Sequence, residues 1–123
     1  MITLLEVGAG GLIGAPARLL VDQAVSSRTR GIFPWGTYVV NATGAFLLGL
    51  LSGLAAYHGL DRGASALLGV GFCGAYTTFS TFSWETIRLV EEGALGAALG
   101  NVAGSLLVGL AAAGAGMALA YLA

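Results

Sequence analysis

Thr77, Thr78, Ser80 and Thr81 crowd four hydroxyls into five positions, and Phe79 and Phe82 set two phenyl rings beside them. The cluster lies inside a run, roughly Ala64 to Val90, that is otherwise apolar enough to enter a bilayer. Hydroxyls in hydrocarbon need partners, and irregular backbone at membrane depth survives only inside protein or beside a water-filled cavity. Donors and acceptors without fixed charge suit a small ion that must be held and then released. The segment therefore predicts a helix broken at mid-membrane that builds a site for a small ion.

The rest of the chain supplies the elements that must hold such a site. Of 123 residues, 57% are hydrophobic and 9% charged, and the mean hydropathy is +0.88. Soluble domains carry about a quarter charged residues, so the composition is that of an integral membrane protein. Four apolar segments emerge, each near the roughly 20 residues that span a bilayer: Leu4 to Ala24, Trp35 to Tyr57, Ala64 to Val90, and Ala94 to Leu122. The connectors are short, so the sequence predicts one all-α domain over residues 1–123. Ala15-Pro16-Ala17 looks like a cleavage site, but no basic residue precedes it and Glu6 stands where a signal peptide would be positive; an uncleaved first helix is expected. With no lysine and a net charge of -1, nothing points to nucleic acid. The single cysteine, Cys73, excludes an intrachain disulfide and a cysteine metal cluster.

Each helix carries polar residues at telling positions. In the first, Gly10 and Gly14 form a close-packing face, Pro16 predicts a kink, and Arg18 must snorkel, find partners or help to attract an anion. In the second, Thr37 and Asn41 share one face. In the third, Thr78, Thr81 and Glu85 follow helical spacing as a polar stripe beside Phe79 and Phe82. Glu85 and Arg88 fall near the membrane border, as solvated or locally paired charges. In the fourth, Gly96, Gly100 and Gly104 form a ridge for tight packing, and Asn101 and Ser105 a second polar face. Thr37, Asn41, Asn101 and Ser105 together offer a lining of uncharged donors.

Arg28, Arg30 and Arg88 lie on one side of the membrane and Arg62 on the other, a thin bias by the positive-inside rule. Such a chain is free to insert in both orientations, and two opposed copies can then pair. Four short helices hardly enclose a pore alone, so an oligomer is expected.

The sequence resembles the Fluc, or CrcB, family of fluoride channels over essentially its whole length. The resemblance rests on Gly10-Gly11-x-x-Gly14-Ala15-x-x-Arg18, on Trp35-Gly36-Thr37-x-x-x-Asn41-x-x-Gly44-x-Phe46, and above all on Gly71-Phe72-Cys73-Gly74-x-x-Thr77-Thr78-Phe79-Ser80-Thr81-Phe82. It implies an antiparallel, dual-topology homodimer in a prokaryotic plasma or inner membrane, with two fluoride pathways and the task of exporting fluoride to reduce its toxicity. It further implies a structural sodium ion at the dimer centre, held by the carbonyls of Gly74 and Thr77 from both copies. Phe79 and Phe82 match the family's paired phenylalanines, Asn41 its pore asparagine, Ser80 and Thr81 its hydroxyl track, and Arg18 its helix-one arginine. Thr37 and Ser105 join the fluoride pathway on the reading of polar faces given above. Leu19 stands where the family often has tyrosine, and Asn101 where an aromatic is frequent.

Two other classes compete. A small dual-topology, proton-coupled multidrug antiporter needs a membrane-embedded carboxylate, and Glu6 and Glu85 both fall near segment ends. A non-transporting assembly subunit leaves the hydroxyl-rich break unexplained. No enzyme is expected: His58 is isolated and no base–nucleophile pair is evident.

Overall fold

A computed structural model describes residues 2–123. Apolar length dictates the architecture, because a backbone in lipid satisfies its own polar groups only as helix or closed barrel. Helix α1 covers Ile2–Ser26 and α2 Trp35–His58. The third helix is bent and comes in two parts. Its first part, α3, spans residues 62–76 and includes a wide, π-type stretch over Ser65–Cys73; its second part, α4, covers Ser80–Glu91. Helix α5 covers Leu95–Leu122. Three helices, over Thr3–Ser26, Trp35–His58 and Leu95–Leu122, are each long and apolar enough to cross a membrane. The expected segments are all present, with ends shifted by up to two residues.

Turn chemistry fixes the ends. At Gly59 the chain adopts the left-handed conformation (φ 63°) that closes α2, its amide returning to the Leu54 carbonyl. Asp61 then caps α3: its Oδ2 accepts from the amides of Gly63 (2.9 Å) and Ala64 (3.2 Å). Glu6 sits beside this turn, where a Cβ on Gly63 would meet its carboxylate.

Helices pair in parallel, α1 with α3 and α2 with α5. Gly10 and Gly14 bring α1 onto the backbone of Leu67, Gly71 and Phe72, as their spacing predicts. Helix α1 runs unbroken through Pro16. Of the expected ridge on α5, Gly104 alone is in tight contact, a Cβ there meeting the Tyr38 hydroxyl at 3.2 Å. No atom lies within 4 Å of a Cβ built on Gly96, and Gly100 meets one only at 4.0 Å, the edge of the Phe33 ring. The tight seam lies further along, where Gly49 abuts Ala113, Gly116 abuts Phe46 and Leu50, and Gly53 abuts Met117 and Ala120.

Aromatic residues mark the two ends of α2. Phe33, Trp35 and Tyr38 cluster at its start, with centroids 4.6–5.7 Å apart, and Tyr57 meets Tyr121 edge-on at 5.2 Å near its end. At 1.5 Å per residue, Trp35 and Tyr57 are about 33 Å apart along the axis. That matches the ~30 Å hydrocarbon core and the habit of aromatic belts. His58, read from sequence as an isolated loop residue, is the last residue of α2, and its Nε2 donates to the Ala120 carbonyl at 2.8 Å.

Candidate functional site: the interrupted third helix

No proline lies between Gly74 and Phe82, so the interruption has another cause. Side chains take the amides that would have continued the helix. The Thr78 amide, which would donate to the Gly74 carbonyl, donates to Asn41 Oδ1 at 2.9 Å. The Thr81 amide, which would reach the Thr77 carbonyl, donates to Thr78 Oγ1 at 3.1 Å. Thr77 is extended (φ -81°, ψ 160°), and the chain re-enters helix at Ser80, where the Thr78 hydroxyl takes up the Thr81 amide of the first turn.

Asn41 holds the bend from both sides. Besides accepting from the Thr78 amide, its Nδ2 donates to the Thr78 carbonyl at 2.9 Å. A carboxamide has two N–H donors, so one remains uncommitted. Gly44, one turn further along α2, leaves room for the Thr77 methyl, which a Cβ there would strike. Tyr76 anchors the preceding turn: it is buried, its hydroxyl lies 2.9 Å from Thr43 Oγ1, and its ring stacks on Phe72 at 5.4 Å.

Two cavities flank the bend. The first, a groove of about 570 Å³, is lined by Asn41, Gly74, Thr77, Phe79, Phe82 and Ser105, with Cys73 and aliphatic residues completing its wall. The Phe79 and Phe82 centroids are 6.0 Å apart, with planes inclined at 42°. The second, about 520 Å³, is lined by Arg18, Asp22, Thr37 and Thr81. Thr78 borders both. Of the residues singled out from sequence, Asn41, Gly74, Thr77, Phe79, Phe82 and Ser105 thus line the first cavity, and Arg18, Thr37 and Thr81 the second. Ser80 belongs to neither lining; it is exposed, with its Oγ 3.4 Å from Thr78 Oγ1. Thr78 also departs from the expected helical stripe, because it sits in the bend rather than on α4.

Charges settle as follows. Among the described residues the ion pair is Arg88–Glu92 (3.2 Å), both members solvent-exposed, and Arg18 forms none. Glu85 borders a cleft beneath the loop at Gly31–Pro34, with its Oε1 buried and without a hydrogen-bond partner among the described residues. Asp22 carries one signal in the sequence, its spacing of one helical turn from Arg18. Its carboxylate packs against Gly36, where a Cβ would collide with it. Asn101 is placed differently from the expected donor lining. It is 1% exposed, lies outside both cavities and bonds to Thr86, a residue without any sequence signal.

The carbonyls of Gly74 and Thr77, which the family resemblance assigns to a cation, are neutral oxygens. Both lose their helical amide partner, both residues line the groove, and a Cβ on Gly74 would meet open space.

The fold and the bend define a multi-pass membrane protein whose third helix is opened to expose polar backbone. Comparison with known proteins gives the family. A family profile described as "CrcB-like protein, Camphor Resistance (CrcB)" matches residues 5–117, and the chain belongs to that family. It is 48% identical over 113 residues to "Fluoride-specific ion channel FluC 1" of Streptomyces avermitilis, covering 92% of this chain and 91% of that one. To the protein of the same description from Frankia casuarinae it is 49% identical over 122 residues, covering 94% of each. To "Fluoride-specific ion channel FluC 2" of Mycobacterium bovis it is 52% identical over 103 residues, 84% of this chain and 79% of that one. The family is one of channels, not of enzymes.

Proposed function

We propose that the chain is a fluoride-specific ion channel that works as two copies of opposite orientation and lets fluoride leave the cytoplasm. The observation that carries this reading is the bend at Thr77–Phe79, which opens beside the Phe79–Phe82 pair and Asn41 in one groove, in a chain with relatives named fluoride-specific ion channels.

The chemistry of the groove suits a small, tightly hydrated anion. Dehydration has to be offset by close donors, and the groove offers the free Nδ2 hydrogen of Asn41; Ser105 lines the same groove with its hydroxyl hydrogen given to Asn101 Oδ1. Phenyl edges carry the positive part of the ring quadrupole, so Phe79 and Phe82 guide an anion edge-on without holding it by charge. On the other side of the bend, Arg18 draws anions toward the hydroxyls of Thr37 and Thr81. Ser80 extends this hydroxyl track at the surface of the chain. Few fixed charges mean loose binding, which conduction requires.

A second copy fits the open side of the groove. Phe79 is 79% exposed, and Gly74 has nothing against it within the chain. The Gly74 and Thr77 carbonyls of both copies would hold a structural sodium ion at their contact. Such an ion supplies a fixed positive charge beside the anion route and caps oxygens that the bend leaves without amides.

Fluoride efflux from liposomes containing the purified protein, followed with a fluoride electrode and a chloride control, tests the reading. Fluoride release without chloride release is expected; no release from verified, folded dimers would overturn it. Orientation is tested by labelling Ser27→Cys in a Cys73→Ser background with an impermeant thiol reagent. Labelling from both faces of the membrane is expected, and labelling from one face alone would remove the antiparallel pair.

A further inference from the structure

Helix α4 starts afresh after the bend, so α3 does not transmit its rotational setting along a continuous backbone. Something else must fix the angle at which Phe82 enters the groove. A ring about 6 Å from the helix axis moves roughly 2 Å for a 20° rotation of the helix. That is enough to open or close a passage for a bare ion.

A chain of hydrogen bonds from α5 supplies the restraint. Thr86 Oγ1 donates to the Phe82 carbonyl at 2.8 Å. Asn101 Nδ2 donates to Thr86 Oγ1 at 2.9 Å, and Ser105 Oγ donates to Asn101 Oδ1 at 3.4 Å. Thr86 has one hydroxyl hydrogen, already given to Phe82, so its oxygen can only accept from Asn101. That fixes which way the carboxamide points. All three donors run in the same direction, from α5 toward the Phe82 turn, and such chains polarise one another. Asn101 is 1% exposed and outside both cavities, so it meets no permeating ion; Ser105, at the far end, lines the groove.

We infer that Asn101 and Thr86 are positioning residues that lock the rotation of α4, and through it the Phe82 ring, so that Asn101 governs fluoride throughput without lining the route. The inference rests on the fluoride-channel reading given above.

The test compares initial fluoride efflux per folded dimer for the wild type, Asn101→Leu, Thr86→Val, Thr86→Ser, Phe82→Ile and the double variant Asn101→Leu/Phe82→Ile, each checked by size-exclusion chromatography. Asn101→Leu and Thr86→Val should each slow efflux about tenfold, the scale expected when one buried hydrogen-bond partner is removed. Thr86→Ser, which keeps the hydroxyl, should recover to within about twofold of wild type, an allowance for its lost methyl. In the Phe82→Ile background, Asn101→Leu should slow efflux no further, because it acts through that ring. Thr86→Val is nearly isosteric and decides the matter if Asn101→Leu does not yield a folded dimer. Wild-type rates in both variants would overturn the positioning role while leaving the channel reading intact. Multiplying losses in the double variant would overturn the route through Phe82. A wild type that releases no fluoride would overturn the channel reading and this inference with it.

Discussion

The seam between α2 and α5 and the bend between α3 and α4 are built on opposite principles. Along the seam, glycines remove side chains so that backbones touch: Gly49 on Ala113, Gly116 on Phe46 and Leu50. In lipid, where no hydrophobic force joins helices, such contact is a principal source of association. At the bend, side chains are added rather than removed. Asn41 and Thr78 take up the backbone amides that helix geometry leaves over. A seam of this kind tolerates little change in volume, and a bend of this kind little change in donor count. Rigidity therefore resides in the first region and ion chemistry in the second, and Asn41 on α2 connects them.

Substitutions can break that contrast. Gly49→Leu should have the largest effect. Its obstacle is the Ala113 carbonyl, which cannot swing aside, so the cost should exceed the ~1–3 kcal/mol of ordinary overpacking. Loss of the monodisperse peak in size-exclusion chromatography is the expected readout; a normal peak would mean the seam yields. Asn41→Leu should come next. It strands the Thr78 amide and carbonyl, at about 1–3 kcal/mol per buried group, and should abolish measurable fluoride efflux while leaving some folded protein. Phe82→Ile removes a ring edge worth about 0.5–1.5 kcal/mol. Efflux should fall by up to about tenfold with assembly intact, and normal flux from a weakened dimer would reverse the assignment. Gly96→Ala sharpens the comparison from the other end. With open space around it, it should leave the melting temperature unchanged or raised, as alanine favours helix by about 1 kcal/mol over glycine. A clear loss would reveal a neighbour supplied by another chain.

How far the sequence reveals these regions follows from the range of the forces involved. Hydrophobic length and turn residues act locally, so all four spans and their connectors can be read directly, with Gly59 and Asp61 marking the second turn. The bend is legible because four hydroxyls in five apolar-flanked positions have no other use, even without a proline. Partner choice is not legible. Asn41 and Asn101 look alike in sequence, each one helical step from another polar residue (Thr37 and Ser105), yet one holds the bend and the other is buried against Thr86. Glycine spacing is similarly mute about its partner. Gly96, Gly100 and Gly104 form a regular ridge, but of these only Gly104 is in tight contact, with the Tyr38 side chain, and backbone contact goes to Gly116, which lies against Phe46 and Leu50 on α2. The division of the polar residues between two cavities depends on the rotation of α4, which no local pattern encodes.

The clamp made by Asn41 has a consequence for how variants at that position are to be understood. Its carboxamide binds the amide and the carbonyl of a single residue while keeping one hydrogen for the groove. Aspartate keeps the acceptor and forfeits the donor; glutamine keeps both but carries them one methylene too far. Every replacement thus alters scaffold and lining together, and the usual separation between residues that build a passage and residues that touch its cargo fails at this one side chain. Position 41 should tolerate a narrower chemical alphabet than any residue that only lines the route, and a dead variant there says nothing by itself about which of its two duties was lost.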